Sequence, residues 1–421
     1  MTRPALAKPM GLPHAVFLQR VADEPATSPE VRLGQGAFLA LRFVDLLSPE
    51  REAAAPDVFR YQWAATERYC SELAGEGTEA AHLAGIVRAT SEAHRTGDVR
   101  VLAPALLAYA LYLEEWEAHF EEAGDVLETL IRVGGGRLGP ADATAGWLRL
   151  GRVRRKLTCW EEADAAYVEA GRIAGVAGDR QSLLLSRVGR CNALQFRGNL
   201  AEAEQQWRGL LADAATSAFR NIEGNAAHGL GNVLQLRGQP HEGAPHLWRA
   251  YELYEDETSQ LRALGDLGFL VLALGDVAGA ERALGEVARR ATLPDLLANA
   301  KIELMHCASF RRDRVGFERW RERALDHFEE ALPNIRADYH LKVGIGLARF
   351  GMYGKAEAQM QQALEIASAH GLHEFVFRIE RIKGGLRECE ALAHCESTAA
   401  EPVVWTEQLM EVSASLAALS A

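Results

Sequence analysis

Residues whose types and spacing could do chemistry stand out in a few places. "GLGNVLQLRGQPHEGA", from Gly229 to Ala244, carries four glycines in sixteen residues. Glycine-rich loops cradle phosphates, but a P-loop needs G-x-x-x-x-G-K-[ST] after a strand, and a dinucleotide site needs G-x-G-x-x-G between strand and helix. Neither the Lys-Ser/Thr pair nor a strand pattern is present here. "ECEALAHCE" brings Cys389, Glu390, His394 and Cys395 together. Cysteines six apart face different sides of a helix, whereas a metal pair there wants a spacing of three or four, so no metal is expected. His370 and His373 in "HGLH" fall at a helix boundary, where histidine commonly meets the final carbonyls. No Ser-His-Asp, H-E-x-x-H or kinase-type string occurs. The expectation is a chain that is not an enzyme, with no catalytic residues and no cofactor.

Two further sets suit binding rather than catalysis. "NALQ" and "NVLQ" place Asn192 with Gln195 and Asn232 with Gln235, forty residues apart. "RLGRVRRK" supplies Arg149, Arg152, Arg154, Arg155 and Lys156 within one helix. Amides both donate to and accept from a peptide backbone, and guanidinium forks clamp carboxylates. An acidic or C-terminal peptide would suit such groups. The plainer alternative is that the amides are merely solvated and the basic run pairs with "EEWEAHFEE" upstream.

The elements that must position these residues repeat. Short turns recur at Thr158, Gly198, Gly238, Gly275, Arg312 and Gly351, spaced 40, 40, 37, 37 and 39. Self-similarity at such a period marks a solenoid of supersecondary units. Seven positions before the turn stands a small residue (Gly151, Cys191, Gly231, Gly268, Gly344), with Met305 the exception. Five after it stands another (Ala163, Ala203, Gly243, Ala280, Ala356), with Phe317 the exception, and bulky residues follow four further on. This is helical spacing on both sides of a turn, with small residues where two helices cross closely. Each unit is an antiparallel helix hairpin that cannot bury its apolar stripe alone. Gly231 and Gly238 are then a crossing glycine and a turn.

The pattern resembles the tetratricopeptide repeat, W-x-x-L-G before the turn and A-x-x-x-F/Y-x-x-A after it, over about residues 141 to 370. Trp147, Leu150, Gly151, Ala163, Tyr167 and Ala170 match it best; the unit around Arg312 rests mostly on spacing. The resemblance implies an all-α, right-handed helical-hairpin solenoid in which the first helix of each hairpin lines the concave surface. Its positions six and three before the turn would point inward: Arg152 and Arg155, Asn192 and Gln195, Asn232 and Gln235. The family's carboxylate clamp also uses a lysine where Leu148 stands here, so its specific chaperone-tail activity does not carry over. Long-period copies resemble the sensor regions of bacterial transcription regulators.

The remaining chain is placed around this array. Residues 1–34 hold five prolines and read as a loose tail; 35–133 read as an atypical helical region with a stop near Ser48 and about four helices after Pro56. In that region Trp116 and Phe120 sit four apart, as in a degenerate hairpin. "VGGGRLGP" is a loop or hinge before six hairpins over 141–372, and 373–421 read as capping helices. A net charge of −12, from 46 Lys+Arg against 58 Asp+Glu, argues against a general nucleic-acid binder. "AVFL" is too short for a signal-peptide core, and nothing reaches membrane-spanning length. Six scattered cysteines without a C-x-x-C pair fit reduced thiols in a cytoplasmic protein. The expected function is a scaffold holding a peptide or partner protein in its groove, the alternative a ligand-sensing regulator of an associated effector.

Overall fold

The structure is a computed structural model and describes residues 12–20, 28–49, 55–115, 118–326, 328, 331–392 and 405–419. The described residues are helical, with no strand among them. Contacts divide them into two compact units, an N-terminal one ending at Asn199 and a C-terminal one starting at Leu200.

The N-terminal unit holds α1 (Pro29–Val44), α2 (Pro56–Glu72), α3 (Thr78–Thr96), α4 (Leu102–Glu115), α5 (Phe120–Gly134), α6 (Pro140–Lys156), α7 (Trp160–Ala177) and α8 (Arg180–Phe196). The C-terminal unit holds α9 (Leu200–Ala215), α10 (Arg220–Leu236), α11 (Pro240–Leu253), α12 (Glu257–Ala273), α13 (Val277–Arg290), α14 (Pro294–Phe310), α15 (Arg314–Arg323), α16 (Pro333–Arg349), α17 (Tyr353–Ala369), α18 (His373–Leu392) and α19 (Glu407–Ala418). Hairpins α6–α7, α10–α11, α12–α13, α14–α15 and α16–α17 pack in succession within their units as tetratricopeptide-like repeats. The units meet in sequence inside the second repeat, not at the glycine run 133–140, which is a tight turn within the N-terminal unit.

The turns show why the repeat reads so clearly. All six turn residues hold left-handed backbone, with φ of 59° at Thr158, 86° at Gly198, 78° at Gly238, 86° at Gly275, 57° at Arg312 and 77° at Gly351. In each, the next residue's N–H reaches back five residues, as in Cys159 to Arg154 O (2.9 Å), Gln239 to Leu234 O (2.8 Å) and Met352 to Leu347 O (2.9 Å). That bond satisfies a helix-end carbonyl and closes a Schellman cap. The following helix is often started by a side chain, as Asp276 accepts from Gly279 N and Asp313 from Gly316 N.

Packing between repeats follows the small-and-large alternation. A Cβ on Gly189 would fall 2.2 Å from the Tyr167 ring, and one on Gly229 would fall 2.3 Å from Trp207. Tyr167 and Trp207 therefore need a bare backbone on the next first helix, whereas Leu247, Leu284 and Met360 need one on the first helix of their own hairpin, at Gly231, Gly268 and Gly344. The fifth repeat keeps this logic with its parts exchanged. Phe317 is fully buried where other repeats carry alanine or glycine, and Gly346 of the next repeat leaves the room, since its Cβ would sit 2.2 Å from that ring.

Two expectations change. Residues 12–20 and 28–34, placed by sequence in a loose tail, are packed: Phe17 and Val31 are fully buried, and the backbone oxygen of Phe17 would lie 2.6 Å from a Cβ on Gly34. The final helix α19 does not cap the array. α18 does, burying Ile379 against Leu341, Met360 and Ala363. α19 instead lies on the second helices α11 and α13, with Leu409, Val412 and Leu416 buried and the Ser413 hydroxyl donating to Asp276. Trp116, His394, Cys395 and the side chain of Cys389 lie outside the described residues. Cys70, Cys191 and Cys307 are buried and free, and burial pushes the Cys70 thiol up to about 11 and that of Cys191 up to about 12.

Candidate functional site

The sequence-selected residues occupy the first helices of the repeats. In the N-terminal unit, Arg152 of α6 meets Glu114 at 2.5 Å and Glu115 at 3.5 Å. The Glu114 side chain is fully buried, and Arg149 and Lys156 each approach it at 3.3 Å. Arg154 is held by Glu128 and by Glu162, the latter at 3.0 Å. The basic helix is therefore largely neutralised by the acidic residues upstream. A buried carboxylate must be paired, and Glu114 takes the charge that Arg152 was expected to offer to a ligand. Arg155 differs: its guanidinium lies 5.1 Å over the ring of Phe196, which is 60% exposed, and its charge acts on the buried Tyr167 phenol. On α8, Asn192 and Gln195 are half-buried, and Oε1 of Gln195 is buried without a hydrogen-bond partner. A buried acceptor in that state is a vacant position for a donor.

In the C-terminal unit the first helices share one continuous face. Asn232 Nδ2 donates to Asp266 Oδ2 at 3.1 Å, and Nε2 of His228 reaches the same oxygen at 2.8 Å. His228 Nδ1 lies 3.1 Å from the Tyr254 hydroxyl, which donates to Asn225. Asn232 is thus held in place through one hydrogen, leaving its carbonyl oxygen and second N–H. Gln235 is half-buried one turn on. Asn232 and Gln235 fall in one unit and the other four selected residues in its neighbour.

Continuing the register of Asn232, six before the turn, gives Phe269 and His306, which sequence reasoning did not select. Between them lies a buried charge cluster. Lys342 of α16 is 2% exposed, sits 2.5 Å from Asp338, also binds Glu303 of α14, and approaches the Phe269 ring at 5.5 Å. Burial lowers its pKa, but the two carboxylates outweigh burial and leave it raised, so the ammonium stays charged. His306 is pushed well below its ordinary value by burial first, then by Lys342, Arg349 and Arg378, so it is neutral near pH 7. Two positions before the turn stand exposed apolar residues: Leu236 (60% exposed) and Phe310 (40%). The signal that finds all of these is the same register read through the later repeats. Lys342 was legible only as an i,i+4 partner of Asp338.

The face offers amide and imidazole hydrogen-bonding groups beside exposed apolar side chains, with charge held internally. Among the described residues, no three or more His, Cys, Asp or Glu gather as a metal cluster, and no helix is long and apolar enough to cross a membrane.

No protein-family model matches the chain, and no curated protein does. Solved structures do. The apo form of the quorum sensor NprR from B. thuringiensis is 9% identical over 83% of this chain and 91% of its own, with a TM-score of 0.52. The Rap conjugation gene regulator of plasmid pLS20, in complex with a peptide, is 12% identical over 80% and 97%, with a TM-score of 0.49. The first of these likenesses establishes the fold: an all-α, helical-hairpin repeat chain.

Proposed function

We propose that the first-helix face is a non-enzymatic binding surface for an extended peptide or a partner protein segment, in a cytoplasmic protein. The observation that carries this is the recurrence of exposed apolar side chains, Leu236 and Phe310, beside oriented polar groups at a fixed register. Scattered exposed apolar residues mean little, but a patterned row beside satisfied polar groups is how extended chains are held. Asn232, Gln235 and His306 supply backbone-directed hydrogen bonds, and Leu236, Phe269 and Phe310 receive side chains. Asn192, Gln195 and Phe196 offer the same combination in the N-terminal unit. Arg155 is the cation there that remains for an acidic side chain, whereas Arg152 contributes indirectly, through Glu114.

The test is display selection from a random peptide library, followed by calorimetry. Peptides selected on the wild type should bind Asn232→Ala/Phe310→Ser at least about tenfold more weakly, the expected loss of one hydrogen bond plus an apolar contact. Arg152→Ala should change affinity little. Equal binding to all variants would remove this face from consideration.

A second reading, a regulator passing ligand binding to an associated effector, draws on one observation: the fold of a protein described as a quorum sensor extends over most of this chain. An electrophoretic shift with random DNA, with and without selected peptide, tests a nucleic-acid output directly.

A further inference from the structure

The last repeat and the helix after it form an open cavity of about 600 Å³, lined by Ile345, Ala348, Arg349, Phe350 and Tyr353 with Ile382 of α18, and reached by Arg312 from the preceding repeat's turn. We propose that this cavity binds a carboxylate with an apolar body. It continues the first-helix face, because Ile345 and Ala348 hold the six-and-three register before Gly351. The claim nevertheless rests on its own geometry.

Arg349 is the centre of the argument. Its guanidinium lies 3.6 Å over the Phe310 ring, which fixes its plane. Its Nη1 donates to Ser309 Oγ at 2.7 Å and lies 3.5 Å from Nδ1 of the neutral His306. These neighbours orient the fork without neutralising it. Burial, followed by the nearby Arg312, pulls Arg349 down to about 10, and no carboxylate among the described residues offsets this. Two other buried cations are compensated: Lys342 has the carboxylates of Glu303 and Asp338, and Arg20 of the N-terminal unit has those of Glu79 and Glu122. A desolvated guanidinium without a counter-charge is costly, and an entering anion relieves that cost.

The walls choose among anions. A guanidinium fork matches a carboxylate in bidentate geometry, with Arg312 adding a second positive charge. Inorganic phosphate would leave most of the cavity empty and would bring a fully hydrated ion against Ile345, Ala348, Phe350 and Ile382. A carboxylate carrying an aliphatic or aromatic body fills both halves, as small-molecule sites generally require.

The experiment uses the full chain and three probes: 4-phenylbutyrate, its neutral amide, and inorganic phosphate, measured by calorimetry. Saturable binding of 4-phenylbutyrate is expected, with the amide and phosphate each at least about tenfold weaker. Arg349→Gln should lose at least about tenfold, and Arg349→Lys should recover part of it. Arg312→Gly removes the second charge at a turn that favours glycine, so it should fold and bind about threefold to tenfold more weakly. No saturable binding, equal binding of the amide or of phosphate, or unchanged affinity in both Arg349→Gln and Arg312→Gly would overturn the assignment. Asn232→Ala should leave phenylbutyrate affinity unchanged, so failure of the peptide reading and failure of this one give different results.

Discussion

The two units hold their most buried histidines in opposite ways, while the less buried His82 of the N-terminal unit is lowered by burial like those of the C-terminal unit. In the N-terminal unit, His14 lies 2.6 Å from Asp125 and 3.2 Å from Asp45, which is also held by Arg132. Burial pushes His14 down, but the two carboxylates together outweigh it and leave the imidazole raised. His119 is raised as well, chiefly by Glu122. In the C-terminal unit, His246, His306 and His340 are all lowered by burial. The difference follows from what each unit must hold. The array closes its core mostly with alanine, leucine and glycine, and its buried charge is gathered on Lys342, Glu303 and Asp338, so His246, His306 and His340 have no carboxylate that outweighs their burial. The N-terminal unit must also fix residues 12–20, which form only a short turn of helix over Ala15–Gln19 and cannot rely on a repeat partner. It does so with ions: His14 at one end, and at the other Arg20, which forks onto Glu79 at 3.0 and 3.1 Å and onto Glu122.

Removing the central cation of each unit should have the largest effect. Arg20→Met leaves Glu79 buried with only the Tyr109 hydroxyl and Glu122 with only His119, and Lys342→Met takes the buried ammonium from Glu303 and Asp338. Breaking a buried pair from one side costs about 3–5 kcal/mol, read as a shift in the denaturation midpoint. The consequences should differ in place. Arg20→Met should free the segment around Phe17 for early proteolysis, whereas Lys342→Met should loosen the contact between α14 and α16 and leave that segment protected. Equal protease patterns would show that the ions do not anchor the segment.

Changing pH should separate the units more gently. For His14 the folded pKa is raised, so its stabilisation is complete below the unfolded value of 6.5 and is lost as pH rises through the folded value. For His306 the folded pKa is depressed, so the unfolded state binds the proton first, and stability falls as pH drops below 6.5. Hydrogen exchange should therefore show residues 12–20 opening on the alkaline side and α14 opening on the acid side. His14→Gln should abolish the first trend alone. If residues 12–20 open most readily at low pH, the carboxylate clasp is wrong.

Much of this fold was legible because its signals are local and repeated. Every turn from Thr158 to Gly351 could be placed from spacing, since the first helix of each of these hairpins ends before a left-handed residue and the register then fixes the crossing positions. The packing of residues 12–20 was not legible. Five prolines in residues 1–34 disguised it, and what holds it are pairings over a hundred residues apart, such as Arg20 with Glu122. The proposed binding face was legible in half. Asn192 and Asn232 announced themselves by repeating a string, while Phe269 and His306 share their register with different chemistry. For Arg152 the alternative, pairing with "EEWEAHFEE", named its partner Glu114, but spacing could not choose between the readings because α4 carries no repeat signature. The position of α19 could not be read at all, because an amphipathic helix specifies only that some apolar surface will cover it.

The smallest effect expected is also the cleanest comparison between the units, because each carries one turn without glycine. Thr158 and Arg312 hold φ of 59° and 57° in caps whose other four members are glycine. At Gly238 and Gly351 a Cβ would meet nothing within 4 Å, so the constraint at these turns is backbone strain rather than crowding. An L-residue pays about 1 kcal/mol for left-handed backbone, more when the side chain is β-branched. Glycine removes that strain but returns some of the gain as extra freedom in the unfolded chain. Thr158→Gly should therefore stabilise the N-terminal unit by about 0.5–1 kcal/mol, and Arg312→Gly should stabilise the C-terminal unit by slightly less. The converse, Gly238→Ala, should cost about 1 kcal/mol. Denaturant midpoints of the three variants decide it: a destabilised Thr158→Gly would mean that the hydroxyl or methyl of Thr158 makes a contact worth more than the strain it imposes.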